Sequence, residues 1–139
     1  MAATNTGGMG LLHQAAYHGH AEVIDFLLRA GHSVNTEVAH KAKGAQWPLH
    51  YAALQGQREA AEALLRHGSH INPPDATVNP PISLSAEAGH AEVTELLLRH
   101  RANVNALSIL DNINPLHAAA YHGQTDTVRV LLAHRASLE

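Results

Sequence analysis

Thirteen histidines in 139 residues are the first chemical feature of this chain. Imidazole is the commonest metal ligand and titrates near neutrality, so such a count raises metal binding, acid–base catalysis and pH sensing together. The strongest local pattern is His20-Ala21-Glu22, the His-x-Glu of zinc deaminases, in which the Glu moves protons beside a metal-bound water. That chemistry needs a Pro-Cys-x-x-Cys partner, and the chain has no Cys. The string Gly-His-Ala-Glu also returns at Gly89 to Glu92, as a structural element does. Without Cys there are no disulfides, thiolate metal sites or Cys nucleophile. No His-Glu-x-x-His helix, phosphate-binding Gly-x4-Gly-Lys-Ser/Thr loop or Gly-x-Ser-x-Gly elbow occurs either. The expectation is a chain with no catalytic residues, no metal site and no cofactor.

The remaining histidines fall into registers. His13, His50 and His117 each follow a Leu in an opening motif and read as buried or half-buried rings bonded to the adjoining backbone. His67, His100 and His134 recur at spacings of 33 and 34, at equivalent points of successive units. Such a ladder would charge together below about pH 6 and repel. The plainer reading is a polar residue at a helix C-terminus, where a protonated His is favourable.

Those spacings belong to a repeat that runs through the chain. GLLHQAAYHGHAEVIDFLLRAGHSVN from Gly10 returns from Trp47, from Pro80 and from Asn114. The central glycines, Gly19, Gly56, Gly89 and Gly123, are separated by 37, 33 and 34 residues. Four 33-residue units nearly fill the length, with four residues inserted before Trp47 and one before Asn114. Each copy predicts a short helix, opened in the last three by Pro48, Pro81 or Pro115 in its first turn. Paired small residues follow (Ala15-Ala16, Ala52-Ala53, Ser85-Ala86, Ala118-Ala119), then the Gly that ends the helix. A second helix follows, acidic at its start (Glu22, Glu59, Glu92, Asp126) and basic near its end in three copies (Arg29, Arg66, Arg99), matching the helix dipole. Its Leu pairs, such as Leu64-Leu65 and Leu97-Leu98, cannot be buried by one copy alone, so the copies must stack as a solenoid.

Composition agrees. Hydrophobic residues reach 45% but aromatics only 4%, so the core is aliphatic and Ala-rich, suited to close helix packing. A formal net charge of -3 offers no long-range pull on a phosphate backbone, which argues against nucleic acid as a partner. No stretch is long and apolar enough for a membrane span, and MAATNTGGMG has neither the basic nor the apolar region of a secretory signal. A cytoplasmic location is expected, with nuclear or host-cell delivery left open.

The pattern Pro-Leu-His…Ala-Ala…Gly-His…Glu-Val…Leu-Leu…Gly…Val-Asn resembles the ankyrin repeat family over roughly residues 6 to 139. The resemblance implies an all-α repeat solenoid of stacked antiparallel helix pairs joined by hairpin-like fingers. The resemblance also implies one domain over 1–139, with repeats expected at about 6–36, 42–74, 75–107 and 108–139. Departures from the pattern are informative. Gly10, Trp47, Pro80 and Asn114 stand where a capping Thr is usual, and only Asn114 is a strong cap. Ser83 replaces the His of the opening motif. Arg101 and Arg135 replace the Gly that ends the second helix, at a cost of about 1 kcal/mol each if the position stays left-handed.

What varies between copies is where individuality can reside. The two positions before each central Gly are Tyr17-His18, Leu54-Gln55, Glu87-Ala88 and Tyr121-His122. The resemblance places them at the ends of the inner helices, on the concave side where partners dock. Tyr17 and Tyr121 suit a binding surface, or else pack between repeats. Trp47 is either an exposed anchor or packed back on the long finger before it, which carries Lys41, Lys43 and Gln46. The second finger offers Asp75, Thr77 and Asn79. The third holds Leu107, Ile109, Leu110 and Ile113, an apolar contact patch or local packing.

The function expected is a monomeric, non-catalytic module that binds a protein partner and no small-molecule substrate. The alternative is a regulatory or targeting segment of a larger enzyme or secreted effector. Val128, Val130, Leu131 and Leu132 on the last helix either face only inward or await a further repeat, and Leu138-Glu139 reads equally as a cloning remnant.

Overall fold

A computed structural model describes residues 10–40, 44–73, 78–109 and 111–135. Among them four helix pairs follow one another: α1 (Leu11–Tyr17) with α2 (Ala21–Arg29), α3 (Pro48–Gln55) with α4 (Arg58–Arg66), α5 (Pro81–Ala88) with α6 (Ala91–Arg99), and α7 (Pro115–Tyr121) with α8 (Thr125–Ala133). Each odd-numbered helix packs on the next odd-numbered one and each even-numbered helix on the next even-numbered one, giving an inner and an outer row. This is the expected all-α solenoid. It carries one addition, a two-stranded antiparallel ribbon in the first finger: β1 (Val38–His40) and β2 (Gly44–Gln46), with Val38 opposite Gln46.

The local chemistry explains the boundaries. Pro48, Pro81 and Pro115 each occupy the first turn of an inner helix, where a missing N–H leaves no bond unmade. Gly19, Gly56, Gly89 and Gly123 follow the inner helices at φ between 70° and 80°. The outer helices close at the same kind of residue, Gly31 and Gly68 in the first two repeats. Arg101 and Arg135 hold that conformation too, at φ 70° and 66°, so both carry the left-handed cost. Asn114 caps its helix through its side chain, accepting from His117 N–H at 2.9 Å, as no other inner-helix start among the described residues does.

The core lies between the two rows. Ile24, Leu49, Leu64, Ile82, Leu97 and Leu131 are fully buried, and the small residues Ala16, Ala52, Ala53, Ala86 and Ala119 let the inner helices approach closely. Truncating one of these Leu side chains to Ala costs about 2–5 kcal/mol. In the third repeat Ser85 takes an Ala position, and its buried hydroxyl meets that of Thr94 at 2.9 Å. At the last helix Leu131 is buried while Leu132 is exposed, so its apolar side does not face only inward.

Candidate functional site

Three sets of bonds register one repeat on the next and so position everything the inner row displays. The first uses the opening histidines. His50 accepts from the Trp47 N–H through Nδ1 at 2.8 Å, which leaves its Nε2–H to donate to the Asn79 carbonyl, 2.7 Å away in the following finger. His13 makes the equivalent forward bond to the Gln46 carbonyl at 3.1 Å. Both rings are buried, and burial holds the His13 imidazole below its usual titration range despite the neighbouring carbonyls. His117, expected to be at least half-buried, is instead exposed: the two buried rings reach forward to a finger, and no described finger follows α7.

The second set lies across the central glycines. Gln57 Nε2 donates to the Tyr17 carbonyl at 3.1 Å, His90 Nε2 to the Leu54 carbonyl at 3.0 Å, and Gln124 Nε2 to the Glu87 carbonyl at 3.2 Å. Each side chain crosses directly over the preceding repeat's glycine, where a Cβ would collide with it. Glycine is favoured at Gly19, Gly56 and Gly89 by φ, and a Cβ there would also have to push aside the flexible amide end of Gln57 or Gln124, or at Gly56 the His90 ring. The third set joins the fingers through Asn side chains. Asn35 Oδ1 accepts from His70 N–H at 2.8 Å, Asn72 Oδ1 from Asn103 N–H at 2.7 Å, and Asn79 Oδ1 from Ile109 N–H at 3.0 Å.

On this frame the paired positions at the inner-helix ends form a row. His18, Gln55, Glu87, Ala88, Tyr121 and His122 are exposed, and Leu54 is half-buried. Tyr17 is half-buried, its ring 6.4 Å from Tyr51 of the next repeat, so it shares in packing between repeats. Tyr121 is 85% exposed, with the His122 ring edge-on at 5.1 Å. Tyr51, which sequence reasoning passed over, joins this row between Tyr17 and the buried His13, whose ring it meets at 5.5 Å.

Other expected contacts leave the surface. Trp47 is 4% exposed and is not an outward anchor: its indole packs on His50 and on His70, with centroids 5.0 and 5.4 Å apart. Gln46 and Asn79 are also buried, because their carbonyls receive the histidine bonds. In the third finger Leu107 is exposed, while Ile109 and Ile113 are half-buried. Lys41, Lys43, Asp75, Thr77 and Leu110, with Leu138-Glu139, lie outside the described residues.

The histidine ladder on the outer row is not uniform. His67 Nε2 stands 3.0 Å from Asp25 Oδ1 of the preceding repeat, with Arg66 beside the same carboxylate at 3.4 Å. The His67 hydrogen bond and the adjacent guanidinium hold the Asp25 carboxyl below the usual range. His100 has no such carboxylate partner among the described residues. No group of three or more His, Asp or Glu stands close enough to hold a metal among those residues, and none of their helices is long and apolar enough to cross a membrane.

A family model described as ankyrin repeats (3 copies) matches residues 2–75 and 73–139. Comparison with curated proteins found no match.

Proposed function

The chain belongs to the ankyrin repeat family, and from that premise we propose that it is a non-catalytic module presenting its inner-helix ends and fingers to one protein partner. Ankyrin repeats are generally protein–protein interaction modules and are typically non-catalytic. The observation that carries the reading is the exposed row His18, Gln55, Glu87, Ala88, Tyr121 and His122 on a frame locked by side-chain-to-backbone bonds at every junction. Variable side chains thus sit on a support that recurs at each junction, a Gln or His side chain bonded to the preceding repeat's backbone. Because the row is ordered before a partner arrives, little entropy is lost on docking. Four repeats offer a footprint of standard size, about 800 Å2 per side.

The test is a partner isolated by pull-down and then titrated against two variant sets. Substituting His18, Gln55 and Tyr121 with Ala is expected to weaken affinity at least about tenfold, as loss of an aromatic anchor does, with the melting temperature unchanged. Substituting Glu95 and Arg99 on the outer row leaves affinity as it was. The reverse pattern would move the binding face to the outer helices.

A further inference from the structure

We infer that the cavity between the third and fourth repeats is a specificity pocket for an arginine side chain of the protein partner, an assignment that rests on the interaction-module reading above. The cavity measures about 360 Å3, at the small end of the range in which ligands are held. It owes its existence to one residue. Ser83 stands where His13 and His50 stand in the first two repeats, and those imidazoles fill the corresponding space to reach the next finger. The carbonyl equivalent to their acceptors is that of Ile113. It already accepts from Ser108 N–H at 2.9 Å, so the third finger closes on itself without a ring from α5.

What lines the vacated space determines what it accepts. Ser83, only 3% exposed, is the most buried lining residue, and its hydroxyl has no hydrogen-bond partner among the described residues. Such a group is costly unless something supplies a bond. Ile113, Ala118 and the Tyr121 ring form the apolar wall, while Glu87 and Asp111 stand at the exposed rim. His122 donates from Nδ1 to the Ala118 carbonyl at 3.0 Å, which turns its Nε2 toward the Glu87 carboxylate, 3.9 Å away. No Lys or Arg lines the cavity. The polar lining is thus two carboxylates, the His122 imidazole and the hydroxyls of Ser83 and Ser108, of which that of Ser83 has no partner; every oxygen among them can accept. The complement is a cation with several N–H donors and an apolar stem. Arginine meets this better than lysine, because its planar fork stacks on an aromatic face and pairs with carboxylates at the same time.

The experiment uses N-acetyl-arginine methylamide as probe, with its uncharged isostere N-acetyl-citrulline methylamide as control, read by amide chemical shifts of the full chain. The arginine probe is expected to shift the Ser83, Glu87 and Tyr121 amides saturably in the millimolar range, and the citrulline probe not to. Ser83→His refills the space and is expected to abolish the shifts. Glu87→Gln with Asp111→Asn, both at exposed positions, weakens the probe at least tenfold on a spectrum that otherwise stays native. Equal shifts from the two probes, or arginine shifts that survive both sets of substitutions, overturn the assignment. Failure here leaves the module standing if a partner still depends on Gln55 and Tyr121. A partner that ignores the inner row removes the module, whatever the small probe does.

Discussion

The junctions on either side of the second repeat and the junction between the third and fourth are made by equivalent helices, yet they are closed differently. In the first two, a buried histidine crosses from an inner helix to the carbonyl at the base of the next finger. In the last, serine takes that place, the finger bonds itself, and a cavity remains. The glutamine or histidine that crosses the central glycine is retained at all three junctions. The repeat therefore has two separable ties. The one across the glycine keeps the stack in register, and the one through the histidine also fills space, so its loss leaves a hollow without unstacking the repeats.

The largest test of that comparison removes a ring from a closed junction. His50→Ala strands the buried Asn79 carbonyl and Trp47 N–H and leaves a hole, which is expected to cost about 2–4 kcal/mol in urea unfolding. Ser83→Ala is expected to change stability by less than about 1 kcal/mol, since the hydroxyl it removes has no partner. Equal costs would mean that the third junction is closed in solution as the others are.

A second test compares an occupied glycine with an open one. Gly56 lies beneath the His90 ring, whereas nothing approaches the Cβ position of Gly123. Both have φ 70°. Each Ala variant meets the left-handed strain, about 1–2 kcal/mol, but only Gly56→Ala must also displace the crossing side chain. It is expected to be the worse by about 1 kcal/mol or more, a difference that thermal melts resolve. Indistinguishable melts would show that the crossing bond contributes nothing.

The smallest effects are those of pH, and they too separate the junctions. Burial lowers the affinity of His13 for a proton in the folded state, so below its ordinary pKa of 6.5 the unfolded chain binds more protons and stability falls with falling pH. Ser83 cannot contribute to this, having nothing to titrate. Asp25 is also held down, by His67 and Arg66. Its contribution is therefore complete above the unfolded value of 3.8 and is lost as pH drops below it. Melts at pH 7.5 and 5.5 should differ for the parent chain and differ less for His13→Gln, with His100→Gln behaving like the parent. A pH difference removed by His100→Gln instead would restore the repelling ladder and discard the buried ring as its source.

Much of this was legible in the residue string because repetition makes it redundant. Each anchor occurs up to four times, so Gly56 or Leu97 is identified by its counterparts as well as by its own neighbours. The capping strength of Asn114 was also legible, since it follows from residue type at a fixed position in the repeat, whereas the left-handed cost of Arg101 and Arg135 was legible only on a condition that the structure then met. Trp47 was not. A lone indole at a capping position reads equally as anchor or filler until the rings of His50 and His70 are found against it. Tyr17 divided in the same way, and only the structure shows that it is half-buried with its ring 6.4 Å from Tyr51. Ser83 was visible as a departure, but its consequence was not.

The sequence by itself determined the period, the helix pairs, the glycine turns and the row of variable positions, because these depend on local propensity and on burial that recurs at fixed spacing. Only the tertiary structure decided which of those positions meet solvent, which side chain crosses which glycine, and that a missing imidazole leaves a cavity rimmed by carboxylates. Those properties arise where residues about thirty to forty apart in the chain come into contact. The spacing places such residues on neighbouring repeats, but only packing decides whether the space between them is filled.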